Sequence, residues 1–123
     1  MKSQWIDHQG KRILYMDLSN FQDNAKAFEA ELTEAVATVG QEMYSQPVHS
    51  VLVLVDLRNT SMTQTTQKLL MDRITDTKKY IAKTAVVGMT GVRKLFLDFF
   101  ARLAGSETGS FEGPETAKEW LAR

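Results

Sequence analysis

Val51-Leu52-Val53-Leu54-Val55 is an unbroken run of β-branched residues and leucine, closed by Asp56 and a polar loop that runs to Thr63. A strand with one wet face alternates apolar and polar side chains. An uninterrupted run needs cover on both faces, as in a parallel sheet flanked by helices. Thr84-Ala85-Val86-Val87-Gly88 has the same character and predicts a second buried strand.

The segments around these two strands set the order of elements. Trp5-Ile6 and Arg12 to Leu18 read as two strands joined by a turn at Asp7-His8-Gln9-Gly10. Phe28, Leu32, Ala35, Val36, Val39 and Met43 recur at helical spacing over residues 25–44, with Asp23 or Asn24 as the cap. A Thr-rich, weaker helix follows Thr63 and runs to about Tyr80. Gly91 opens a strong helix through Ala104, with Gly105 as its stop, and Gly113-Pro114 starts a last helix docked by Ala117, Trp120 and Leu121. The expectation is one α/β domain over residues 1–123, β-β-α-β-α-β-α-α, with a mainly parallel sheet covered by helices.

A chain of 123 residues can bury a core of its own without metal or disulfide. It has no cysteine, which excludes disulfides, thiol catalysis and thiolate metal sites. The first residues lack the apolar core of a signal peptide, and no run reaches the roughly 20 apolar residues of a membrane span. A cytoplasmic address is expected, with room for peripheral contact at the inner face of the membrane.

Formal net charge is zero but unevenly placed. Residues 1–60 carry five Lys/Arg against eight Asp/Glu, residues 61–104 eight against three, and residues 105–123 two against four. The basic middle segment suits an anionic partner. A sequence pI near 6.7 and the lack of a basic stripe interleaved with aromatics argue against nucleic acid.

No constellation for catalysis is present. Gly88-Met89-Thr90-Gly91 fits neither a nucleotide phosphate loop nor a dinucleotide fingerprint, and there is no serine elbow. His8 and His49 lie far apart in sequence with no ligand-spaced partners, so no metal or cofactor is expected. Asp17 and Asp56 both end strands and read as loop and cap residues.

The order of motifs resembles a known family. A strand, Asp56-Leu57, a polar loop and a helix are similar to the core of STAS domains. Lys83-Thr84-Ala85-Val86-Val87-Gly88-Met89-Thr90-Gly91 running into Leu95-Phe96-Leu97-Asp98-Phe99-Phe100, with Phe111, Ala117 and Trp120-Leu121 beyond, resembles more narrowly the SpoIIAA-like family. The likeness runs from about Trp5 to Leu121. It implies the fold of anti-anti-sigma factors, related to that of CRAL-TRIO lipid carriers, and no settled activity. Anti-anti-sigma factors carry a phosphorylatable serine near the start of the helix after this loop, where Thr60 and Ser61 stand here. This chain lacks the second Asp and the Gly of their Asp-Ser-Ser-Gly-like stretch, and plain helix capping is the simpler role for both residues.

Three candidate sites follow. The helix after Gly91 places Val92, Leu95, Phe96, Phe99, Phe100 and Leu103 on one stripe, and Leu97 widens it beyond what packing on a sheet needs. With Arg93, Lys94 and Met71 of the preceding helix, Phe96, Leu97, Phe99 and Phe100 form an apolar, basic-rimmed face fit for an anionic membrane surface or a small apolar ligand. Gly88, Thr90 and Gly91 are a candidate anion-binding turn. Thr60 and Ser61 are candidate switch residues. The expected role is a non-enzymatic binding module for membrane or a lipid-like ligand. The alternative is a STAS-type regulatory switch controlled by phosphorylation, with a protein partner. The apolar face also suits a homodimer.

Overall fold

A computed structural model of the chain describes residues 1–88, Ala101 and residues 105–123. Five strands form one sheet: β1 (Gln4–His8), β2 (Lys11–Asp17), β3 (Val51–Asp56), β4 (Ile81–Val87) and β5 (Glu107–Phe111). The described helices are α1 (Ala25–Ala37), α2 (Gln64–Thr77) and α3 (Pro114–Ala122), with short 3-10 segments at Val39–Ser45 and Lys78–Tyr80. The strands lie side by side in chain order, β1-β2-β3-β4-β5.

The α/β class is as expected, but the sheet is mixed rather than mainly parallel. β1 pairs antiparallel with β2, and β2–β3, β3–β4 and β4–β5 pair parallel. The antiparallel pair is set by a two-residue turn in which Gln9 and Gly10 both have positive φ, 51° and 78°. That geometry matches the twist of the flanking strands. β5 lies where the sequence suggested only a connection between two helices.

Alternation along β3 divides the core. Val51, Val53 and Val55 join Leu14, Met16, Phe28, Leu32, Leu70 and Ile74 on the α1/α2 face. Leu54 joins Ile13, Ala85, Val87, Ala117 and Leu121 on the opposite face, which α3 covers. β3 is therefore buried on both sides, which explains its unbroken apolar sequence.

The apolar stripe over residues 25–44 is two elements. Asn24 caps α1 through the Ala27 N–H, and the helix ends at Thr38 (φ −114°, ψ −89°). Beyond it, the Trp5 indole Nε1–H donates to the Val39 carbonyl at 2.8 Å, tying the 3-10 segment to the edge strand β1. The N-terminal segment is held to α1 as well: the backbone N–H groups of Lys2 and Ser3 both donate to the Glu31 carboxylate, at 2.9 and 3.2 Å.

Candidate functional site

Among the described residues, two places could do a job: the carboxyl ends of the strands, and a cavity between the sheet and the α1/α2 layer.

At the carboxyl ends, alternation sends Asp56 to the α3 face, together with Leu54 and its register partner Tyr15. Asp56 is 0% exposed. Its carboxylate accepts from the Tyr15 hydroxyl at 2.7 Å and from the Arg58 backbone N–H at 3.1 Å. The Arg58 guanidinium forks onto it through Nε (3.0 Å) and Nη2 (2.8 Å). Burial opposes ionisation of Asp56, but the hydrogen bonds from Arg58 and Tyr15 outweigh it and hold the carboxyl below the usual carboxylate range. Burial and the bond to Asp56 push the Tyr15 phenol above its ordinary value. The group is saturated by its own partners, so it organises a loop and leaves no lone pair aimed at a reactant.

A pH prediction follows. The folded state favours the protonated Tyr15 phenol, so this contribution to stability is intact below about pH 10 and is lost as the pH rises through the higher folded value. Tyr15→Phe has no proton to lose there, and its thermal midpoint is expected to decline less steeply in alkali than that of the wild type. Parallel alkaline profiles would show that the Tyr15–Asp56 bond has no such effect.

The loops after β2 and β3 are stitched to each other. Leu18 N–H donates to Asp56 O, Asn20 N–H to Arg58 O, and Ser61 N–H to Gln22 O. Thr60 is half-buried: its hydroxyl donates to Leu18 O at 2.7 Å and accepts the Phe21 N–H at 3.2 Å. Ser61 is exposed and donates to the Asp23 carboxylate at 2.6 Å. Neither caps α2; Thr63 does, accepting the Thr66 N–H. Gly88 has φ +86°, and its N–H donates to Phe111 O at 3.1 Å, so that amide is engaged within the protein and is not free for an anion.

The second place is an apolar cavity of about 50 Å³ beneath α1 and α2. Its floor is Leu14, Met16, Val53 and Val55 of the sheet, and its walls are Leu32 and Val36 of α1, Met43 of the 3-10 segment, and Leu70 and Ile74 of α2. Gly40, Tyr44, Arg73, Thr77 and Ile81 complete the lining. Tyr44 is 46% exposed and packs edge-on against Tyr80, with ring centroids 5.5 Å apart.

The residues singled out from sequence are not brought together here. Met71, expected to face membrane or ligand, is 5% exposed and belongs to the core, because the α2 residues on its side pack onto the sheet. Thr90, Gly91, Arg93, Lys94, Phe96, Leu97, Phe99 and Phe100 lie outside the described residues. Sequence reasoning did not single out Arg73, Tyr44 or the Asp56–Arg58–Tyr15 group. The smallness of Val36, Gly40, Val53 and Val55 is the signal in the sequence for the space they surround.

Among the described residues there is no cluster of metal-ligating side chains, and no helix is long and apolar enough to cross a membrane. Comparison with family models, with curated proteins and with solved structures finds no match for the chain.

Proposed function

We propose that this chain is a non-enzymatic binding module that takes up a small apolar ligand between its sheet and the α1/α2 layer. The observation that carries this reading is the cavity: its floor and walls are aliphatic and thioether side chains, and Tyr44, Arg73 and Thr77 line it almost wholly with carbon atoms. Protein interiors close-pack, so space on this scale lined by Leu, Val, Ile and Met is a site that an apolar group fills with gain and water does not. The lipid-like ligand expected from the sequence fits this chemistry, with α2 supplying part of the wall. The carboxyl-end cluster supports no catalytic role, since every acceptor position of Asp56 that the described residues reach is taken by Tyr15 or Arg58.

The test is a calorimetric titration with butanol, whose short chain is nearer the scale of the cavity. Saturable binding is expected in the wild type. Val36→Trp places an indole in the cavity from the partly buried side of α1, and is expected to weaken binding at least about tenfold, or about 1.4 kcal/mol, while the protein stays folded. Absence of saturable binding, or equal affinity in the folded variant, would exclude the cavity as the site.

A further inference from the structure

Resting on that reading, we infer that the site sorts its ligands by carbon number: it takes a compact, uncharged aliphatic molecule of about four carbons, and longer chains gain nothing more from it. The cavity measures about 50 Å³. An apolar cavity of about 150 Å³ holds a benzene ring, so a third of that space has room for on the order of two to four carbon atoms. A lipid chain shares the aliphatic chemistry but exceeds the space. The surroundings resist enlargement. Val53 and Val55 on the floor, and Leu32 and Leu70 in the walls, are buried members of the continuous core on the α1/α2 face. A larger guest would have to part α1 or α2 from the sheet, against the close packing of that core.

Polar recognition contributes little. The Thr77 hydroxyl is bonded back to the Arg73 and Ile74 carbonyls of its own helix, at 3.3 and 3.2 Å. Tyr44 and Arg73 meet the space almost wholly with carbon atoms. A charge carried inside would find no partner, which selects against ions. The remaining criterion is how much aliphatic volume a molecule brings out of water. Two lining residues set that limit from opposite sides: Val53, a small residue of the floor, and Ile74, a larger one of the α2 wall. Val53→Ile adds one carbon to the lining and Ile74→Val removes one, changes of a size that a core tolerates.

The experiment titrates the wild type, Val53→Ile and Ile74→Val with the straight-chain alcohols from ethanol to octanol, read by the methyl resonances of Val55 and Leu70. In the wild type, affinity is expected to rise about fourfold per added carbon up to about butanol and then to level off. The break should come one carbon earlier in Val53→Ile and one carbon later in Ile74→Val. Butanone, with the same carbon number and a different polar group, should bind within about threefold of butanol. Affinity that climbs without a break through octanol would overturn the size limit while the apolar site stands. A break that stays in place in both folded variants would overturn the assignment to Val53 and Ile74, and a large gap between butanone and butanol would mean that a polar group selects after all. If no alcohol gives a saturable shift in the wild type, the cavity reading itself falls and the inference with it.

Discussion

Asp56→Ala is expected to lower stability by about 2–4 kcal/mol at neutral pH, measured by urea unfolding. The carboxylate is inaccessible to solvent and accepts from the Tyr15 hydroxyl, the Arg58 backbone N–H and the Arg58 guanidinium. Truncation leaves the phenol and the amide without that acceptor. The Arg58 side chain is 42% exposed and can turn to water, which keeps the loss below that of a fully enclosed ion pair. Asp56→Asn keeps one acceptor oxygen without the charge and should fall between the two. The sign with pH is fixed by the lowered folded value. Stability from this group is present above the unfolded value of about 4, and is lost as the pH falls through the folded value. Asp56→Asn should therefore flatten the acid limb of the stability profile. A change below about 0.5 kcal/mol in Asp56→Ala would mean that the loop holds together without its central carboxylate.

The second large effect is at Gly88. Its φ of +86° is a conformation that L side chains adopt at a cost of about 1–2 kcal/mol. A β-carbon there would also lie 2.8 Å from the backbone nitrogen and 2.9 Å from the Cα of Arg58, atoms that cannot swing aside. Gly88→Ala is expected to cost about 2–4 kcal/mol in total, and to disturb the Arg58–Asp56 pair with it. Gly10→Ala is the control: its φ is +78°, but nothing lies within 4 Å of the added carbon. It should show the conformational cost alone, about 1 kcal/mol. Equal losses in the two variants would show that the approach to Arg58 is not a constraint.

The strands buried on both faces were legible because their periodicity is extreme: Val51 to Val55 admits few other readings, and its neighbours followed from helical spacing and from Gly113-Pro114. β5 was not legible. Glu107-Thr108-Gly109-Ser110-Phe111 has one β-branched residue, and its centre is the glycine-serine pair of a loop. It is a strand through its pairing with β4, where Gly109 leaves room for the Phe111 ring and Trp120. The break in the first helical stripe escaped notice for a similar reason. The apolar period runs through Thr38, and the Trp5 indole that engages the Val39 carbonyl comes from 34 residues away. Asp56 was visible as the polar stop of a strand, but its partners depend on register, which no local pattern encodes. The cavity is a matter of how side chains from six segments fail to fill a volume, and beyond the small Val36, Gly40, Val53 and Val55 the sequence says little about that.

Because each strand pairs with the one made just before it, the sheet can be assembled in the order of synthesis, each new strand finding a finished edge. The α1/α2 side is roofed early by this schedule. On the opposite side, among the described residues, Ile13, Leu54, Ala85 and Val87 are met by Ala117 and Leu121 of α3, which follows all five strands in the chain. A nascent chain in which α3 has yet to emerge therefore lacks the Ala117 and Leu121 contacts on this aliphatic sheet face, the kind of surface that chaperones hold.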